Sequence, residues 1–131
     1  MNVLILSAIG ILSMGNIKEN LISSIAKVES SNNPTAVGDG GKAVGLLQIW
    51  PCVLDDVNRV YGKRYTLADR LDPVKSREIC RLYLEHYGKN YTKKTGKQPT
   101  DEVYSRMWNG GPAGWSNKKT IEYWNKVKKG L

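Results

Sequence analysis

Two acids with chemical potential stand ten positions apart, Glu29 and Asp39, in a polar, glycine-rich stretch that closes on Gly45-Leu46-Leu47-Gln48-Ile49. Glu29 ends an apolar pattern of Ile17, Leu21, Ile22, Ile25, Ala26 and Val28. At about 100° per residue these six gather in one half of a helical wheel. Glu19, Asn20, Ser23, Ser24 and Lys27 fill the other half. Glu29 does not join them; it falls inside the apolar arc, between Ile25 and Ile22. A carboxyl at a helix end either bends out to water or pairs with a lysine, or else it sits in a cleft. In a cleft its pKa rises, because desolvation disfavours the charged form. Such a group holds a proton near neutrality and can hand it to a leaving oxygen, the task of a general acid.

The elements that must position these groups read as mainly α. The 131 residues, 40% of them apolar, suit one compact domain with one core. Trp50-Pro51 ends the Gln-Ile element, and Pro51 begins a helix with Val53, Leu54, Val57, Val60 and Tyr61 at helical spacing, stopped at Gly62. Lys63 to Leu71 reads as a connecting loop. Asp72-Pro73 opens a helix that runs through Ile79, Leu82, Tyr83 and Tyr87 to Gly88. Asn90 to Pro99 reads as a polar, basic loop. Thr100 caps a further helix, with Asp101 and Glu102 in its first turn and Val103, Tyr104, Met107 and Trp108 inward. Asn109-Gly110-Gly111-Pro112 breaks it. Ser116 or Asn117 starts the last helix, with Ile121, Trp124 and Val127 inward. No hairpin signal stands out, although Thr35 to Gln48 has room for a short irregular β element.

Val3 to Met14 is an uncharged apolar run of twelve, too short to span a bilayer comfortably. Residues 1–15 are read as an export or anchoring segment that would permit transient membrane association, against the alternative of a first core helix. No Lys or Arg precedes the run and no small-x-small cleavage site follows it. Residues 16–131 form the remaining domain. Cys52 and Cys80 would form one bridge in an exported protein, or stay as two buried thiols. No His/Cys cluster has metal-ligand spacing, His86 reads as a packed or surface residue, and no metal or cofactor is expected.

Glu29-Ser30, Asn33-Pro34-Thr35-Ala36 and Gly45-Leu46-Leu47-Gln48-Ile49 together resemble the start of the catalytic domain in the lysozyme superfamily, as found in soluble lytic transglycosylases (SLT domains). The segment Val37 to Ala43 departs from the transglycosylase pattern, which usually has a serine where this chain has Gly38-Asp39. An acid there is more similar to invertebrate-type (destabilase-like) and goose-type lysozymes. Arg106-Met107-Trp108-Asn109-Gly110-Gly111-Pro112 resembles the Asn-Gly-Gly-Pro element of destabilase-like domains. Ile121 to Val127 resembles the closing element that carries a site tyrosine, where only one of Tyr123 and Trp124 should face the groove. The resemblance spans most of Ile17 to Val127, with three motifs in order, and implies a lysozyme-like α-helical domain with a short irregular β or loop element.

The resemblance also implies glycosidic cleavage, in which an acid protonates the leaving oxygen while positive charge develops on the sugar. Glu29 is the expected acid. Asp39 is either a second carboxylate that positions water or stabilises the cationic sugar, or an ordinary turn residue bonded to local backbone. Ser30, Gln48, Trp50, Trp108, Asn109, Gly110 and Tyr123 are the expected substrate-binding set. Each also has a structural alternative: Gln48 as a partner for loop backbone, Asn109 as a helix-end residue, Gly110 as a turn, and the tryptophans as core.

A formal charge of +8, concentrated in lysines 93, 94, 97, 118, 119, 126, 128 and 129, suits an anionic polymer. Bacterial wall peptidoglycan, with its lactyl and peptide carboxylates, is the expected partner. No helix-turn-helix, zinc or RNA-binding signature supports a nucleic-acid partner. The expectation is a monomeric muramidase that cuts between N-acetylmuramic acid and N-acetylglucosamine, with Asp39 favouring hydrolysis over transglycosylation. It would act outside the cell or in the envelope, or on a host wall if phage-encoded. The competing readings are a non-catalytic wall-binding module and a chitin-active enzyme.

Overall fold

A computed structural model describes residues 17–131, so the apolar run Val3–Met14 lies outside the described residues. In chain order the elements are α1 (Glu19–Ser30), β1 (Val37–Gly38), β2 (Ala43–Val44), α2 (Pro51–Tyr61), α3 (Pro73–Thr95), α4 (Asp101–Gly110) and α5 (Ile121–Lys128). Short 3-10 turns at Asp39–Gly41, Leu67–Leu71, Gly114–Ser116 and Lys118–Thr120 fill the connections. None of the described helices is long and apolar enough to cross a membrane.

The core is where the apolar faces of these helices meet. Leu21, Ile22, Ile25 and Ala26 of α1 pack with Leu54 and Val57 of α2, with Ile79, Cys80 and Leu84 of α3, and with Met107 and Val127. α3 is the central element, touching α1, α2 and α4, and α1 lies against α5. The start of α1 is tied to α3 on the outside. Arg81 donates to the Ile17 carbonyl at 2.7 Å, and both Arg77 and Arg81 pair with Glu19. Exposed pairs of this kind add little stability; the inward face of α1 is its apolar one, Leu21, Ile22, Ile25 and Ala26.

Helix ends follow the chemistry of the sequence. Asp72 accepts from the Val74 and Lys75 amides ahead of Pro73, Thr100 accepts from Val103, and Gly62 and Gly96 close α2 and α3 in the left-handed conformation. The end of α3 differs from expectation. The helix does not stop at Gly88 but continues to Thr95, through the segment read as a loop. Gly88 is buried, and a Cβ on it would lie 2.9 Å from the Tyr104 ring and 3.3 Å from Pro99. Its role is to let α4 approach α3 closely, not to break the helix. Lys93 and Lys94 then sit in the last turn, where cations complement the helix dipole.

Other parts of the chain also differ from expectation. Residues 67–71 form a 3-10 turn within the stretch read as a plain connection, opened by a capping box between Thr66 and Asp69. Ile121, expected inward, is 42% exposed, because buried Thr120 takes the inward position just before α5. Cys80 is buried and Cys52 exposed, and both are free thiols, so neither the bridge nor a pair of buried thiols is present. Reductant is therefore expected to leave the thermal melting curve unchanged, whereas a bridge would contribute about 2–4 kcal/mol that reduction removes.

Candidate active site

The site is built where α1 ends against the short β element. Ser31 and Asn32 take the left-handed conformation after α1 and turn the chain out into the loop. The Ser30 hydroxyl donates to the Leu46 carbonyl at 2.7 Å and accepts from the Asn33 amide at 3.1 Å. The Glu-Ser pair thus divides its labour: Ser30 locks the end of the helix to the loop, which fixes the position of Glu29.

The loop itself is held by a residue that the sequence did not single out. Arg70, buried at 8% exposure, donates from Nη1 to the carbonyls of Lys42 (3.0 Å) and Ile49 (2.9 Å), and from Nε to Leu67 (3.0 Å). No ion-pair partner accompanies it among the described residues. Burial without a carboxylate lowers its pKa from the ordinary value, and the carbonyls supply the compensating dipoles. The Arg70 backbone also presses against Gly45, at φ +86°, where a Cβ would lie 1.9 Å from the Arg70 carbonyl oxygen. Only glycine fits that contact. The capping-box pattern Thr66-x-x-Asp69 was the one sequence signal near Arg70.

Within this frame Glu29, Asp39, Gln48, Trp50, Val53, Trp108 and Asn109 line one cleft of about 130 Å³. Of the nine residues expected in the site, six share that cleft. Tyr123 reaches Glu29 from α5, its hydroxyl donating to Oε2 at 2.7 Å, while neighbouring Trp124 packs against the core. Ser30 and Gly110 do not line the cleft. A Cβ on Gly110 would lie 2.5 Å from the Thr120 side chain, so this glycine serves the packing of α4 against the turn before α5.

Glu29 has its pKa raised to about 7. Burial is the main cause; the Tyr123 hydrogen bond opposes it by favouring the carboxylate, and the charge of Asp39 adds a smaller upward push. Burial, with the charge and hydrogen bond of Glu29 adding to it, sends the Tyr123 phenol well above its ordinary value, so that it remains a donor. Tyr123→Phe is expected to raise the Glu29 pKa further, and Asp39→Asn to lower it. Carbon-13 NMR titration of the Glu29 carboxyl checks both directions.

Asp39 is exposed, with φ +49°, and its carboxylate accepts from Trp50 Nε1 at 3.3 Å. Lys42 Nζ lies 5.4 Å from the centre of the Trp50 ring, on which it can act as a cation. Gln48 satisfies loop backbone from a position at the cleft. Its amide donates to the carbonyls of Ala36 and Gly45, each at 3.1 Å, while its side chain faces the cleft. A Cβ on Gly38 would lie 2.5 Å from Gln48 Oε1, so Gly38 leaves room for that oxygen. At φ +53°, Gln48 carries the backbone strain of a non-glycine residue in the left-handed region, a feature that clusters at functional sites. Trp108 Nε1 donates to the Leu47 carbonyl at 3.3 Å, and its ring meets Tyr83 edge-on at 5.5 Å. Among the described residues no group of His, Cys, Asp and Glu is arranged to hold a metal ion.

A helical domain that presents a half-buried acid of raised pKa beside a small β element belongs to the lysozyme-like class of architecture. Comparison with known proteins narrows this. The chain is 29% identical over 117 residues to the lysozyme of Meretrix lusoria, covering 88% of this chain and 91% of that protein. A crystal structure of that lysozyme in complex with Aeromonas hydrophila PliI superposes with a TM-score of 0.72 at 26% identity, over 88% of this chain and 91% of the other. Tapes japonica lysozyme shares the fold, with a TM-score of 0.73 at 23% identity over the same shares of the two chains. The family described as transglycosylase SLT domain matches residues 8–129. The chain belongs to that family, and it is homologous to the invertebrate-type lysozymes of bivalves. Membership places it among the glycosidases and transglycosylases that act on peptidoglycan.

Proposed function

We propose that this protein cleaves the β-1,4 bond between N-acetylmuramic acid and N-acetylglucosamine in peptidoglycan, with Glu29 as the general acid. The observation that carries this reading is the Glu29 carboxyl, half-buried in the cleft and held at 2.7 Å by the Tyr123 hydroxyl, where desolvation raises its pKa to about 7. In the forward step the Glu29 proton passes to the glycosidic oxygen, the bond to the anomeric carbon breaks, and positive charge develops on the muramic ring. The resulting Glu29 carboxylate is stabilised by the Tyr123 hydroxyl. It then takes a proton from the nucleophile that closes the reaction at the anomeric carbon. Trp50, Trp108, Gln48 and Asn109 offer rings and amides to sugar faces and acetamido groups.

Asp39 supports water as that nucleophile, because its exposed carboxylate shares the cleft with Glu29. The family match supports a second reading, in which the 6-hydroxyl of the muramic residue attacks instead. Mass spectrometry of muropeptides released from purified peptidoglycan separates the two. Reducing N-acetylmuramic ends identify hydrolysis, and 1,6-anhydro ends identify transglycosylation. Release by the wild type and by Glu29→Gln in equal amounts removes Glu29 from the mechanism. No release by either protein returns the wall-binding reading. The family's substrate also supports a site of action outside the cell or in the envelope.

A further inference from the structure

We propose that the groove between the C-terminal half of α3 and the turn after α4 is a second binding site for the glycan strand, one that takes an N-acetylated sugar bearing a carboxylate. The inference rests on the peptidoglycan reading above and adds a site to it. The groove has a volume of about 240 Å³ and is lined by Tyr87, Asn90, Tyr91, Lys94, Pro112 and Trp115, among others. None of these six residues lines the cleft around Glu29.

Its chemistry is that of a saccharide site. Tyr91 and Trp115 meet edge-to-face with ring centres 5.0 Å apart, and both rings remain half-buried. Such a pair offers fixed apolar surface at low entropic cost, suited to the C–H face of a pyranose. Asn90 and Lys94 are exposed at this groove, and neither side chain has a hydrogen-bond or ion-pair partner among the described residues. An amide and an ammonium beside aromatic rings complement an acetamido group and a lactyl or peptide carboxylate. A nucleic acid would call for several cations tracking a backbone, whereas a single lysine lines this groove.

The groove lies within reach of the same strand. Asn109 lines the cleft and Pro112 the groove, and three residues of chain span at most about 10 Å. On the other wall, Tyr83 of α3 contacts Trp108 of the cleft at 5.5 Å and Tyr87 of the groove at 4.8 Å, which makes one aromatic path between them. A strand held at both places would engage the protein through two linked contacts, each raising the local concentration of the other.

The test is NMR titration of nitrogen-15-labelled Glu29→Gln protein with a purified peptidoglycan tetrasaccharide that carries its stem peptides. The expected result is movement of the Trp115 indole and the Asn90 side-chain amide signals, in addition to those of Trp50 and Trp108. Adding Asn90→Ala and Lys94→Ala, both at exposed positions, should abolish the Trp115 shift and weaken co-sedimentation with purified sacculi by about tenfold, or about 1.4 kcal/mol. A Trp115 signal that stays still, whatever the cleft signals do, overturns the proposal. So does unchanged sedimentation of the triple variant. Failure of the cleavage reading shows separately, as wild-type protein that moves the Trp115 signal yet releases no muropeptides.

Discussion

Glu29→Gln is expected to lower release of soluble muropeptides by about 10²–10⁴-fold, the range a general acid supplies. The variant keeps the shape of the side chain and an oxygen for the Tyr123 hydroxyl, but it has no proton to give. In the wild type the same property sets the pH dependence. Activity that needs protonated Glu29 declines as the pH rises through about 7. Stability follows the same group. The folded protein holds the Glu29 proton up to about pH 7, and the unfolded chain releases it near 4.5. Between those values the folded state binds more protons, so stability falls as pH rises from about 4.5 to about 7 and then levels off. The gap amounts to roughly 3 kcal/mol. Glu29→Gln, free of that cost, should melt roughly 10 °C above the wild type at pH 8. The two should converge near pH 4. Calorimetry across that range checks it, and coincident melting at pH 8 would show that Glu29 is not buried at cost.

The second large effect is expected at Arg70. Arg70→Met should destabilise the fold by about 3–5 kcal/mol in urea unfolding, because three carbonyls lose a charged donor and two of them belong to the loop that carries Gln48. Arg70→Lys should recover only part of this, since an ammonium cannot reproduce the planar fork that reaches Lys42, Ile49 and Leu67 together. Activity should fall along with stability, mostly in kcat, because the residue orders the loop without lining the cleft. A variant that unfolds like the wild type would show that the loop holds its shape without the guanidinium.

Glu29 and Arg70 differ in how far the sequence revealed them. Glu29 announced itself, because a carboxyl inside an apolar arc is an inconsistency visible in one helical turn. Asp72-Pro73, Thr100 and Gly62 marked helix ends equally well, since capping depends on neighbouring residues. What escaped depends on contacts between distant segments. Gly88 carries the composition of a helix stop, yet Tyr104 and Pro99 fix its use, and they lie beyond the apparent end. Arg70 looks like any surface arginine in a polar stretch until the carbonyls of residues 42 and 49 are brought to it. Ser30 and Gly110 entered the expected site through the resemblance, as members of the Glu-Ser and Asn-Gly-Gly-Pro motifs. The structure turns each toward packing instead. Gln48 and Asp39 stand between these cases: their types were legible, but their left-handed backbone was not.

The two free thiols differ sharply in access, and that makes the native chain its own labelling scaffold. Cys80 is fully enclosed, its thiol pushed far above the ordinary pKa by burial, so alkylating dyes have neither a path to it nor a thiolate to attack. Cys52 is exposed in the first turn of α2, between Trp50 and Val53 of the cleft in sequence. A maleimide fluorophore therefore attaches at one position, on the segment that supplies one wall of the cleft. No residue has to be replaced to follow occupancy in real time.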